Sequence, residues 1–350
     1  MDATAIPPQA ILLDKFNQVL AFRCITAFGT LGVADYLGEH GASTAATIAS
    51  ALKLHPSALF RLLRACANVG VVTQSSPHET ESVFGLTPVG ACLQSTDHVS
   101  LCNVLNAWAQ PSHWQPLEHF EASIKTGQAA TYAAYGSDIW TYYQQHPQEH
   151  TTFAASMSAM SEIISKAILA TIAVDNASVI VDVGGSKGTL LSAVLTKAPH
   201  DVRGILFDLP HVVASPATLA TYETGHRITA TAGSFFESVP RGDIYLIKQI
   251  LHDWDDAKCI SILKTVVQNA VRGARVLVIE LLLSSTVKPA AAIGELLTPS
   301  IFMDMNMLVM CNGQERTVEQ YAALFAQAGL VFSKATPTPS HYVIIEGLVE

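Results

Sequence analysis

Charge is scarce in this chain. Of its 350 residues only 14% are Asp, Glu, Lys or Arg, against about 25% in an ordinary soluble domain. What charge there is leans acidic, with 20 Lys and Arg against 29 Asp and Glu and a net of −9. Such a balance excludes nucleic acid and an anionic membrane as main partners, since both need a basic face. Patterned cysteine is also missing. Cys24, Cys66, Cys92, Cys102, Cys259 and Cys311 form no CxxC pair and no Cys/His cluster with zinc spacing, so neither a disulfide framework nor a bound metal is expected. Reduced thiols acting as small hydrophobes point to the cytoplasm. No run reaches the ~18 apolar residues of a spanning helix; the longest candidate, VLVIELLL, is interrupted by Glu280. The first residues, MDATAIPPQA, place no basic region ahead of an apolar one, so no secretory signal is expected.

Apolar residues are abundant at 49%, which suits a chain that hides a large helical interface. Two regimes of periodicity follow one another. Residues 11–170 read as almost all helix, beginning with LLDKFNQVLAFRCITAFGTLGVADYL. Within them, Ser43 or Thr44 can cap TAATIASAL, Pro56 starts and Gly70 follows a helix over LHPSALFRLLRACANVG, and VVTQ with VFGLTPVG reads as a two-stranded wing. The winged-helix pattern raises DNA binding. However, residues 30–95 hold only Lys53, Arg61 and Arg64 as strong bases against Asp35, Glu39, Glu79 and Glu81, so packing or dimerisation is the better reading. From about residue 175, short apolar runs (VIVDV, GILFD, ITATAG, DIYLIKQ, RVLVIELLL, HYVIIEGLV) alternate with helical stretches (TLLSAVLTKA, HVVASPATLATY, DAKCISILKTVVQNAV, TVEQYAALFAQAG). That alternation predicts an α/β unit with a parallel sheet covered on both faces and ligands at the carboxyl ends of its strands. The expected division is a helical winged-helix-like domain over 1–165 and an α/β domain over 166–350.

The stretch VIVDVGGSKGTLL, Val179 to Leu191, joins an apolar strand to a helix through glycines. Both pyrophosphate motifs fail in it. The dinucleotide fingerprint begun at Gly184 meets Ser186 and Thr189 where glycines belong, and the phosphate loop fails because Lys187 precedes Gly188. A strand end, a glycine turn and a helix start suit a ligand with a carboxylate but no phosphate, lying close to the backbone. Asp208 ends the next run, 24 positions after Gly184, near the distance at which an acid meets ribose hydroxyls.

VDVGGSKG, FDLPHV, GSFFESVPRGDIYLIKQILHDWDD and NGQERT, in that order, resemble the S-adenosylmethionine-dependent O-methyltransferases of small aromatic molecules, plant phenylpropanoid enzymes and their bacterial and fungal relatives. The resemblance runs through essentially the whole chain. It implies a Rossmann-like sheet with a reversed last strand, an N-terminal winged-helix dimerisation domain, a homodimer, S-adenosylmethionine as cofactor and an aromatic acceptor. Residue by residue, it implies that Gly184 and Gly185 meet the methionine end of the cofactor, Asp208 the ribose, Ser234 and Phe235 the adenine, and that Lys248 contacts the cofactor. It makes His252 the base and Glu280 and Glu315 the acids that flank it. FAASMSAMS resembles the family's acceptor-covering helix, so Phe153, Met157, Met160 and Trp114 are candidates for an aromatic-binding wall, with Asp304 and Asn306 as polar contacts. Two departures stand out: Ser186 where a third glycine is common, and Ser234 where aspartate is usual.

The chemistry suits those groups. Methyl transfer from a sulfonium is an in-line displacement, so the protein must align the nucleophile and take its proton. A phenol near pKa 10 is mostly protonated at neutral pH, and a histidine is the natural acceptor of that proton. Asp253, Asp255 and Asp256 read either as a metal cluster or as the first turn of the following helix. Two other readings compete: an enzyme of the same fold with a changed reaction (pericyclase, hydroxylase or decarboxylase), and a ligand-sensing winged-helix regulator. The intact His252, Glu280 and Glu315 set argues against the first, and the missing basic face against the second.

Overall fold

The computed structural model describes residues 7–78, 81–95, 100–213, 219–284, 286–287 and 299–350. They form two compact units. One comprises residues up to Trp114 together with Pro147–Ala159, and the other Gln115–His146 and Met160–Glu350.

In the first unit, helices Pro8–Thr30, Val33–His40, Ala45–Leu52 and Pro56–Asn68 enclose a core of Phe28, Val33, Leu37, Ile48, Leu63, Cys66 and Phe84. Thr44, rather than Ser43, caps the third helix by accepting from Thr47 N. Pro56 opens the fourth behind His55, and Gly70 follows it in the left-handed region at φ 76°. The wing gains a strand over the sequence reading: β1 (Ser43–Thr44) joins β2 (Val72–Gln74) and β3 (Val83–Leu86) in an antiparallel sheet ordered β1-β3-β2. The six cysteines are free.

The second unit is a seven-stranded sheet of β4 (Val179–Val183), β5 (Arg203–Asp208), β6 (Ile228–Ala232), β7 (Ile244–Lys248), β8 (Arg275–Leu281), β9 (Leu330–Pro337) and β10 (Tyr342–Val349), ordered β6-β5-β4-β7-β8-β10-β9. β4 to β8 are parallel, while β10 runs antiparallel to β8 and pairs with β9 in a hairpin. β9 had no signal in the sequence reading because LVFSKATP is exposed along most of its length and lacks an apolar run. Alternate residues face opposite sides, as the pleat requires. Val181, Val183, Tyr245, Ile247, Val276 and Val278 pack with helices Asp256–Asn269 and Val318–Ala328. Ile180, Leu246, Leu277 and Ile279 pack with Thr189–Lys197 and with Ile164 and Ile168. Helix Pro147–Thr171 has the length and hydropathy to cross a membrane, but Ile164 and Ile168 are committed to this core. Of the helix read over HVVASPATLATY, the structure has Pro210–Val213 and a 3-10 turn Leu219–Thr221, and residues 214–218 lie outside the described residues.

The chain order turns at β4. It builds outward through β5 and β6, then returns to place β7 on β4's other side, so the crevice at the carboxyl ends of β4 and β7 is the natural ligand site.

The first helix leaves Leu12, Leu13, Phe16, Val19 and Leu20 exposed, Leu12 by 73%. A contiguous apolar stripe of this kind seeks a partner surface. The intact chain should therefore sediment above its monomer mass, and the Phe16→Glu, Leu20→Glu double variant should sediment as a folded monomer.

Candidate active site

β4 ends in a buried acid and a turn that only small residues permit. Gly184 and Gly188 sit at φ 70° and 77°, and Ser186 at φ 53°, so Ser186 occupies a conformation that glycine adopts without strain. A Cβ on Gly185 would meet the Asp182 carboxyl at 2.6 Å, and one on Gly184 would strike the Ile250 side chain. Backbone is thus laid bare at this edge of the sheet. Asp208, at the end of β5, ties the turn down: its Oδ2 accepts from Ser186 N at 2.8 Å and its Oδ1 from Leu209 N at 2.7 Å. Burial raises its pKa against those two bonds. Each oxygen keeps a lone pair for another donor.

Lys248, at the end of β7, donates to Gln249 Oε1 at 2.8 Å. Burial lowers its pKa, opposed by Asp182, Glu280 and Asp253. Asp182 is buried with an Oδ2 that has no hydrogen-bond partner among the described residues. Burial pushes its pKa up to about 7 against the pull of Lys248. On the adenine-side candidates, Phe235 packs edge-on to Phe236 at 4.9 Å and to Trp254 at 6.2 Å. The Ser234 Oγ accepts from Phe236 N at 3.3 Å.

Just beyond β7, the 3-10 turn Leu251–Asp253 presents His252. Its Nδ1 lies 2.8 Å from Glu315 Oε1 and 3.5 Å from Glu280 Oε2, and its Nε2 lies 3.5 Å from Asp253 Oδ1. All four residues are buried. Glu280 Oε1 accepts from Ile250 N at 3.1 Å and His252 N at 3.4 Å, which fixes the turn to β8. Burial alone would lower the His252 pKa; Glu280, Asp253 and Glu315 reverse that and raise it to about 10. Burial pushes Glu280 up to about 7 and Asp253 up to about 6, outweighing the attraction of His252 in each case. Donor atoms of His252, Glu280 and Glu315 also lie within 4.8 Å of one another, a spacing that a divalent cation suits. Here they are bonded to each other and to backbone N–H groups, which a cation would have to displace. A cavity of about 250 Å³ is lined by Tyr132, Trp140, Trp254, Met310 and Cys311 among others, and none of the four cluster residues is in its lining. Cys311 Sγ reaches Asp253 Oδ1 at 3.8 Å.

Comparison with known proteins decides the family. Residues 114–331 match the model of the O-methyltransferase domain, and residues 13–96 that of the O-methyltransferase dimerisation domain. The chain belongs to the O-methyltransferase family. It is 30% identical over 348 residues to the phenazine O-methyltransferase of Lysobacter antibioticus, covering 98% of this chain and 97% of that one. It is 33% identical to the 3-amino-4-hydroxybenzoate 4-O-methyltransferase of Streptomyces cremeus, over 88% and 81% of the two chains. Among solved structures, LaPhzM superposes with a TM-score of 0.90 at 28% identity, covering 99% of this chain and 100% of that one. An O-methyltransferase from neocarzinostatin biosynthesis, in complex with S-adenosylmethionine and a hydroxy-methyl naphthoic acid, does so at 0.76 and 31%, over 94% and 96%.

In this methyltransferase the structure brings together His252, Glu280 and Glu315, with Lys248 near them and Gly184, Gly185 and Asp208 on the neighbouring strand ends. Of the acceptor-side candidates, Trp114, Phe153 and Met157 belong to the helical unit, and Met160 and Asn306 to the sheet unit. Trp114 stacks on Phe22 at 6.2 Å with Arg23 over its ring. Phe153 stacks on His113 at 5.9 Å, and Asn306 Nδ2 points to Met303 Sδ at 3.8 Å. Asp304 accepts from Glu315 N at 2.9 Å and so braces a site residue. The three aspartates after His252 divide: Asp253 joins the cluster, Asp255 caps the next helix through Lys258 N, and Asp256 pairs with Arg316. Two buried acids near the site were not among the site residues expected from the sequence. Asp182 is the acid near the end of an apolar strand, and Asp253 read either as part of a metal cluster or as a helix-start acid.

The raised His252 pKa has a stability consequence with a definite sign. The stabilisation of the charged ring is complete below its unfolded value near 6.5 and is lost as pH rises through about 10. The difference in melting temperature between wild type and His252→Gln should therefore narrow from pH 7 to pH 10.5, measured by calorimetry.

Proposed function

We propose that this protein transfers a methyl group from S-adenosylmethionine to a hydroxyl of an aromatic small molecule, with His252 as general base. The observation that carries the proposal is the buried 2.8 Å bond from His252 Nδ1 to Glu315 Oε1. It orients the imidazole, sets its tautomer and leaves Nε2 as the nitrogen for an acceptor's proton. S-adenosylmethionine supplies a methyl already activated on a positively charged sulfur. Gly184 and Gly185 offer the backbone that its methionine end approaches, the spare lone pairs of Asp208 suit ribose hydroxyls, and Ser234, Phe235 and Lys248 complete the cofactor's surroundings. With its pKa raised to about 10, His252 acts as base in the fraction of molecules whose ring is neutral, a fraction that grows as pH rises. In these its Nε2 takes the hydroxyl proton as the oxygen attacks, and Glu280 and Glu315 stabilise the imidazolium. An aromatic acceptor is supported by a cavity lined by Tyr132, Trp140 and Trp254, linked to the cluster through Cys311, whose Sγ reaches Asp253 Oδ1 at 3.8 Å. Residues 1–165 serve dimerisation, residues 166–350 donor binding, and the enzyme works as a cytoplasmic homodimer.

The deciding experiment incubates the protein with labelled S-adenosylmethionine and a panel of phenols, hydroxy acids and quinols, and identifies by mass which acceptor gains a methyl group. With that acceptor, His252→Ala should lower turnover by ~10²–10⁴, the usual worth of a general base, and leave S-adenosylhomocysteine affinity unchanged. Activity should persist in excess chelator, because the cluster moves a proton and holds no metal. Glu315→Gln should move the lower limb of the kcat/KM profile to lower pH, since it removes one of the charges that hold the ring's proton. Wild-type turnover in His252→Ala would leave alignment alone as the source of rate.

Ser234 offers a separate test of the donor site. A carboxylate accepts from an amino group about 1 kcal/mol better than a hydroxyl does. Ser234→Asp should then tighten S-adenosylhomocysteine binding by up to about tenfold in calorimetry. Unchanged binding would remove Ser234 from the adenine's contacts.

A further inference from the structure

Arg316 has no part in the chemistry above, yet it is fully buried and spends every donor it has. Its Nη1 donates to Leu251 O at 3.0 Å and Gln314 O at 3.3 Å, its Nη2 to Trp254 O at 2.8 Å and Asp256 Oδ1 at 2.7 Å, and its Nε to Asp256 Oδ1 at 3.0 Å. That accounts for all five N–H groups of a guanidinium. The carbonyls it holds flank the two residues of interest: Leu251 precedes His252, and Trp254 follows Asp253. In the chain, Arg316 itself follows Glu315.

The surrounding bonds run the same way. Gln314 N donates to His252 O at 2.9 Å, and Leu283 N donates to Arg316 O at 3.0 Å. Any side chain at Gly313 would strike the His252 carbonyl. The segment 313–316 is thus pressed against the turn that carries the base, and one guanidinium spans the junction.

We infer that Arg316 is a positioning residue for methyl transfer: it joins the His252 turn to the segment bearing Glu315 and so sets the distance between ring and carboxylate. The inference rests on the reading of His252 as base, and it adds what holds that base in place. Lysine keeps the charge but replaces a planar five-donor fork with a point, so it cannot reach Leu251 O, Gln314 O, Trp254 O and Asp256 together. Misplacement of a catalytic group by about 1 Å costs on the order of 10²-fold in rate, so the clamp bears directly on turnover.

The test needs no acceptor. In full-length protein labelled with ¹⁵N-histidine, the proton shared by His252 Nδ1 and Glu315 should appear at low field and be absent from His252→Ala. Arg316→Lys should lose or shift that signal while keeping its circular dichroism and its S-adenosylhomocysteine affinity. Guanidinium ion at sub-denaturing concentration should restore the signal in Arg316→Ala. Asp256→Asn, at a half-exposed partner that removes only one anchor of the fork, should shift it less and serves if Arg316→Lys does not fold. An unmoved signal in whichever of Arg316→Lys and Asp256→Asn folds overturns the role of Arg316 and leaves His252 as base. Absence of the low-field proton from wild type overturns the His252–Glu315 pair itself.

Discussion

The structure depends on keeping several charges out of water at one end of a sheet. His252, Glu280, Glu315 and Asp253 are all buried, with Lys248 and Asp182 one strand away. An isolated ionised group in such a place is prohibitively costly, so each must be paired or neutralised. The 2.8 Å bond between His252 and Glu315 is the central pairing. Around it, burial drives Glu280 and Asp253 toward their neutral forms, while Glu280, Asp253 and Glu315 hold the ring's proton. A site built this way is poised to exchange a proton, which is what attack by a weakly acidic hydroxyl requires.

The fold supplies two strand ends and a segment after a helix that make the cluster possible. β7 leads into the His252 turn, β8 contributes Glu280 from its penultimate position, and the segment after helix Pro299–Cys311 brings Glu315. The parallel order β5-β4-β7-β8 sets the glycine turn and Asp208 on strand ends beside this cluster.

Much of this was legible without coordinates. Five parallel strands follow from short apolar runs, because a doubly covered strand must be apolar on both faces; the reversal of β10 was implied only by the family resemblance. The glycine turn was legible because a failed phosphate motif still marks a close backbone approach. Glu280 was conspicuous as an acid inside an apolar strand. Less visible were β9, whose exposure erases its pattern, and the roles of Asp253, Asp255 and Asp256. Those three share a sequence context but separate in space into a cluster member, a helix cap and an anchor for Arg316.

Sequence by itself determined the class of fold, the family and the identities of the histidine and two glutamates, since each is carried by local pattern or by ordered motifs. Only the tertiary structure decided how those groups behave. Glu315 lies 63 positions from His252, and no local rule sets the contact between them. Their burial and the raised His252 pKa come from packing of elements distant in the chain. Arg316 is the plainest case. In the sequence it is one arginine in a short motif; in the fold its five donors meet four residues around the turn that carries His252.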